Sequence, residues 1–202
     1  MARTQQQRRE ETVARLLDAS IDTIIEVGYA RASAAVIAKR ARVSDGALFR
    51  HFATMGDFMA ATALEVMRRQ LELFTKRVAE IPPDKPAFEA ALGILRDVTG
   101  NDTNTVMYEL LIAARTDEKL KVTLQAVLAE YAANINDVAR TLPGADQYPP
   151  ETFGALVATL TNVFDGAAIV RAVLPLPEIE DARIALLTEL IGDRSGTNPQ
   201  GR

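Results

Sequence analysis

Cysteine and tryptophan are absent from this 202-residue chain, and histidine occurs once, as His51. The missing thiols exclude a disulfide framework and thiolate metal sites, a composition compatible with a reducing cytoplasm. One histidine leaves little material for a catalytic triad or a zinc site. There is also no HExxH pair, no Gly-rich phosphate loop, no nucleophile elbow and no Glu-x-x-His of a di-iron bundle. No apolar run approaches membrane-spanning length, and residues 1–10 are polar and basic where a signal peptide needs an apolar core. Aromatic residues are only 5% of the chain, so apolar packing falls to Ala, Leu, Val and Ile. These absences point away from catalysis, cofactors, metals and membranes, toward a cytoplasmic protein that works by binding.

What is present is helical. Strand signals are nearly missing, whereas apolar residues recur at i, i+3 and i+4 throughout. Val13, Leu16, Leu17, Ile21, Ile24 and Ile25 form one face of a first helix, Arg8–Val27, that stops at Gly28. Ser33 caps a second helix through Ala41, and Ser44 caps a third, which Leu48, Phe49 and Phe52 tie back onto the first two. Thr54 opens a fourth over Met55–Glu80, closed by Ile81-Pro82-Pro83. Further helices follow at about Pro86–Thr99, Thr103–Ala114, Glu118–Leu142, Glu151–Leu174 and Glu178–Ile191. The expected fold is all-α, with about nine helices. Residues 1–53 make a three-helix head, 54–192 a helical second domain, and 193–202 a disordered tail.

Charge divides along the same line. Residues 1–52 hold nine Lys and Arg against six Asp and Glu, a balance of +3, while the remaining 150 carry −7. A locally basic end on an acidic protein suits one nucleic-acid-facing surface. Residues 33–52 give that surface a shape: two short helices joined by a tight turn, the second ending in bases and aromatics. Such a pair presents its second helix to the major groove of duplex DNA.

Ile37-Ala38, then Val43-Ser44-Asp45-Gly46-Ala47-Leu48-Phe49-Arg50-His51-Phe52, with Glu26-Val27-Gly28-Tyr29 upstream, resembles the helix-turn-helix of the TetR family of bacterial transcriptional repressors. The likeness is specific over residues 13–59; over 60–192 it lies in helix order, with one further familiar stretch around Ala114-Arg115-Thr116-Asp117. The resemblance implies a DNA-binding head and a second domain with a small-molecule cavity, whose occupation shifts the fourth helix and separates two heads. Three positions depart from the pattern: Arg42 stands where Gly is frequent, in a turn that favours left-handed backbone. Phe49 stands where Tyr is common, and Met55 replaces a frequent Lys.

The candidate DNA-binding residues are Ser33, Lys39, Arg42, Ser44, Asp45, Gly46, Ala47, Phe49, Arg50 and His51. Ser33 and Ser44 can cap helices, offer groups to phosphate, or do both. Gly46 and Ala47 permit close approach, Ala47 can touch a thymine methyl, and Arg50 can pair with guanine. Asp45 accepts from cytosine or supports the helix end. By the resemblance His51 reaches a phosphate; a helix-end hydrogen bond is the alternative. Lys39, Arg40 and Arg42 share a face, one of them merely exposed. Arg3, Arg8 and Arg9 can form a flexible arm toward the DNA backbone, or a solubilising terminus.

The eighth helix is apolar on two sides, which implies burial between its own domain and something else. Its small-residue side, Ala155, Thr159, Asn162, Gly166, Ile169 and Val173, joins Leu186 and Leu190 of the ninth as the expected homodimer seam; a buried central helix of a monomer is the alternative. Candidate effector contacts are Phe88, Leu92, Leu95, Met107, Tyr108, Leu111, Arg115, Tyr131, Phe153, Asn162, Phe164 and Asp165, around a small apolar ligand. The functional expectation is a repressor that binds a palindromic operator and is released by that ligand. A helical dimer or lipid carrier that binds no DNA is the other class.

Overall fold

In the computed structural model, which describes residues 4–44 and 46–192, helix α1 (Gln5–Val27) begins ahead of its apolar pattern. Thr4 and Gln7 form a reciprocal capping box, each side chain accepting the other's backbone N–H. Arg8 and Arg9 therefore lie inside a helix and do not form a flexible arm. Arg3, Asp45 and the tail over 193–202 lie outside the described residues.

Eight more helices follow: α2 (Ala34–Arg40), α3 (Ala47–His51), α4 (Met55–Ala79), α5 (Ala87–Thr99), α6 (Asp102–Ala114), α7 (Glu118–Arg140), α8 (Pro150–Arg171) and α9 (Pro177–Gly192). No strand occurs among the described residues, so the chain is all-α. Two 3₁₀ turns, Tyr29–Arg31 and Ala145–Gln147, are too short to show a sequence period.

The described residues up to Gln70, with Asn101–Tyr131, pack as one compact unit. Its core gathers Leu16, Ile21 and Ile24 of α1, Ile37 of α2, Leu48 of α3, Phe58 of α4, Leu110 of α6, and Leu120 and Leu124 of α7. Full burial of each such side chain contributes about 1.5–3 kcal/mol. Polar groups inside are paired: Thr62 Oγ1 donates to Ser20 Oγ at 3.0 Å, and the Gln70 and Asn101 amides exchange hydrogen bonds at 2.9 Å. Asn101 also caps α6 by accepting from Asn104 N.

Leu71–Gly100 and the described residues from Ala132 onward form a second unit, in which α5 packs on α8 and α9. Phe88, Ala139, Ala145, Tyr148, Phe153 and Val157 make one of its apolar clusters. Glu180, buried at the start of α9, pairs with Arg171 of α8 at 3.2 Å and with Arg183 at 2.7 Å. Helix α8 buries Phe153, Leu160, Phe164 and Ala168, and leaves its opposite side exposed. By length and composition α8 is apolar enough to cross a bilayer, although Asp165 sits within it.

Candidate nucleic-acid interface

Ser33 Oγ accepts from Val36 N at 3.4 Å and starts α2, which buries Ile37 and Ala38 and exposes Lys39 and Arg40. The chain then leaves α2 through a left-handed turn. Val43 N donates to Ala38 O at 3.0 Å and Arg42 N to Lys39 O at 3.2 Å, the paired bonds of a Schellman stop. Arg42 occupies the left-handed position itself, at φ 55°. Glycine takes that conformation freely, whereas a side chain there costs roughly 1–2 kcal/mol. The turn needs the geometry; Arg42 supplies it under strain and places an exposed cation beside α3.

Helix α3 starts at Ala47, after Ala47 N donates to Ser44 O at 2.8 Å. Among the described residues no side chain caps it, which corrects the reading of Ser44 as a helix cap. Ser44 Oγ accepts instead from Arg50 Nη2 at 3.2 Å, so the hydroxyl orients the guanidinium on the exposed face. Leu48 is fully buried and Ala47 is 3% exposed. Ala47 thus faces the core, and the thymine-methyl contact expected of it is not available in this arrangement. Phe49 is 53% exposed, so Leu48 and Phe52 tie α3 to the core without it. Gly46 is exposed and has open space where a Cβ would stand.

The basic side chains divide by what holds them. Arg40 is neutralised by Glu26, with Asp22 at 4.0 Å, both from α1. Lys39 and Arg42 are exposed and pair with no carboxylate among the described residues. His51, at the end of α3, is half-buried, and its Nδ1 is buried without a hydrogen-bond partner. A helix-end bond through that nitrogen is therefore not made. Burial first, then the charges of Arg9 and Arg50, push the imidazole pKa below its ordinary value and favour the neutral ring. Arg9, Arg50 and His51 share one broad groove of about 1170 Å³ with Gln5 and Gln6 of α1. Gln5 and Gln6 precede the helix start that apolar spacing places at Arg8, because a polar run carries no helical period.

In the second unit, Phe88, Leu92, Leu95 and Phe153 line one small apolar cavity of about 40 Å³. Phe164 is buried, Asp165 half-buried and Asn162 exposed. Met107, Leu111 and Tyr131 belong to the core cluster of the first unit. There Tyr108 accepts from Asn104 Nδ2 at 2.7 Å, and Arg115 is exposed at the end of α6. Among the described residues no group of three or more His, Asp or Glu is placed to hold a metal ion.

A strained turn feeding a short exposed helix, rimmed by Lys39, Arg42, Arg50 and His51, defines a helix-turn-helix DNA-binding protein. Known proteins agree. The family model of bacterial regulatory proteins, tetR family, matches residues 16–62. HTH-type transcriptional regulators of Mycobacterium tuberculosis (strain H37Rv) and Mycobacterium bovis are each 74% identical over 191 residues, 95% of this chain and 98% of theirs. The multidrug binding protein EbrR, solved with imidazole, has TM-score 0.66 at 26% identity, covering 88% of this chain and 93% of that one. A TetR-family regulator from Rhodococcus sp. shares the fold, with TM-score 0.71 at 18% identity, covering 91% and 97%. The chain belongs to the TetR family and is a transcriptional regulator.

Proposed function

We propose that the protein is a repressor that binds a palindromic operator as a homodimer and is released by a small apolar effector. Residues 4–53 act as the reading head and 54–192 as the sensing and pairing domain. The observation that carries this reading is an exposed apolar face on α8 and α9. Ala155, Thr159, Asn162, Gly166, Ile169, Val173, Leu186 and Leu190 are all exposed, Val173 at 87% and Leu186 at 55%. Val170, Leu174 and Ile179 extend the face. A contiguous apolar surface of this kind marks an interface, and a symmetric second copy is the commonest occupant. Thr159, Asn162 and Asp165 amid the apolar residues suit a protein partner better than lipid.

The head needs that partner. Five residues of α3 reach only a few base pairs, so specificity requires a second α3, about 34–36 Å or a multiple away. The effector acts by preferring a conformation that misplaces the heads. Tenfold weaker operator binding takes about 1.4 kcal/mol of such coupling. Solved complexes of EbrR with imidazole and with proflavin support a small-molecule ligand for this chain. The protein catalyses nothing, uses no cofactor and works in the cytoplasm, where its DNA is. Sedimentation analysis tests the pairing: the wild type should run as a dimer and the Ile169→Asp/Leu186→Asp variant as a folded monomer with weakened operator binding. A strictly monomeric wild type would overturn it.

A further inference from the structure

Of the seven phenylalanines in the chain, Phe49 alone is exposed. It stands in the middle of α3, where Ala47 and Leu48 are buried, so the side of this helix left to solvent consists of Phe49 and Arg50, with Gly46 just ahead. The fold does not hold the ring. Leu48 and Phe52 anchor α3, and the Phe52 ring packs on that of Phe58 with centroids 4.9 Å apart. Among the described residues Phe49 takes part in no ring–ring or cation–π contact. Its placement forgoes about half of the burial that a phenyl ring can contribute.

A single exposed apolar side chain is ordinary on a protein surface. The setting of this one is not. Arg50 follows it directly, with its guanidinium held by Ser44 at 3.2 Å, and Lys39 and Arg42 on the same motif pair with no carboxylate among the described residues. Cations around the ring select a polyanion as the partner, and the open space at Gly46 lets it come close. In the major groove of a duplex, one group matches a phenyl ring, the C5-methyl of thymine; the other base edges present donors and acceptors that the ring cannot satisfy. Phenylalanine has no hydroxyl to give to a phosphate, so the ring acts through apolar contact alone. Successive residues of a helix point about 100° apart, so Phe49 and Arg50 meet different bases.

We propose that Phe49 is a specificity-determining residue that reads a thymine methyl in each half-site, near the guanine paired by Arg50. It takes the role that buried Ala47 cannot fill. This rests on the reading of α3 as the helix that enters the operator, and it adds a second base-reading side chain of opposite chemistry.

Selection from random duplexes by the full-length protein supplies the site, and each thymine in its half-sites is then replaced singly by deoxyuridine. That exchange removes the methyl and leaves base pairing intact. At one position it should weaken wild-type binding roughly fourfold, the contribution of one buried methyl group. Phe49→Ala should bind the thymine and deoxyuridine duplexes equally, whereas Phe49→Tyr, which keeps the ring, should retain the dependence. Neither substitution touches the core of α3, and ratios taken within each variant cancel any general loss of affinity. Absence of methyl dependence at every thymine would overturn the proposal, as would a dependence that survives in Phe49→Ala, which assigns the contact to another residue. Either result leaves the operator itself standing. Failure to recover any site would instead overturn the operator reading, and this proposal with it.

Discussion

The Glu109 carboxylate on α6 accepts the backbone N–H of Tyr29, where α1 ends and the chain turns toward α2. Gly28 makes the turn possible. It stands at φ 83° and ψ 157°, a conformation essentially reserved for glycine, and a Cβ there would lie 3.5 Å from a Glu109 oxygen. A helix far along the chain thus fastens the reading head through one charge-assisted bond, spanning 80 residues.

Removing that acceptor should loosen the head. Glu109→Ala is expected to lose about 1.5–3 kcal/mol in urea unfolding, the range for a hydrogen bond to a charged group, and Glu109→Gln clearly less. Gly28→Ala should lose roughly 1–3 kcal/mol through backbone strain alone. A Glu109→Ala protein within experimental error of the wild type would contradict the tie.

Arg42 serves two ends that a single substitution separates. Arg42→Gly relieves the left-handed strain and should stabilise the fold by about 1 kcal/mol. The same change removes an exposed cation from the proposed DNA-facing side, so operator affinity should fall and its salt dependence should weaken by roughly one charge. Unfolding curves and duplex titrations over a salt series would measure both, and a loss of stability would show that the arginine earns its place in the fold itself.

Much of this was legible from residue patterns, for reasons that also explain the misses. The start of α2 follows from Ser33, because cap chemistry acts within a few residues, whereas the cap that Asn101 gives α6 was not read from the sequence. The inward set of α8 follows from its spacing. Ala47 was assigned to the wrong side because five residues of helix are too few for a period to distinguish faces. The pairing of Ser44 with Arg50 exists only in three dimensions and leaves no periodic trace.

Acid stability should report on Glu65. Hydrogen bonds from Arg68, and then Arg69, hold its carboxyl at about 2 against the opposing effect of burial, well below the ordinary 4.5. Above pH 4.5 the carboxylate is charged in both folded and unfolded chains, and its contribution to stability is complete. As pH falls from 4.5 toward 2 the unfolded chain takes up the proton first, and the contribution is lost. The stability gap between wild type and Glu65→Gln should be constant above pH 4.5 and close toward pH 2. A gap independent of pH would refute the pairing.

Arg50 and Arg9 should fail differently. Arg50, poised by Ser44 on the exposed face of α3, should cost about 1–3 kcal/mol of discrimination between sites when replaced by alanine. Arg9→Ala should weaken binding to all duplexes by a similar factor. Competition between operator and scrambled duplexes separates the two, and uniform losses in both variants would remove Arg50 from base reading.

The most direct measurement is selection of bound sequences from random duplexes by the full-length protein, followed by the mass of the complex on the recovered site. Enrichment of an inverted repeat carrying two copies of the chain is the predicted result. No enriched sequence, or a single copy on a site without symmetry, would contradict a paired helix-turn-helix repressor.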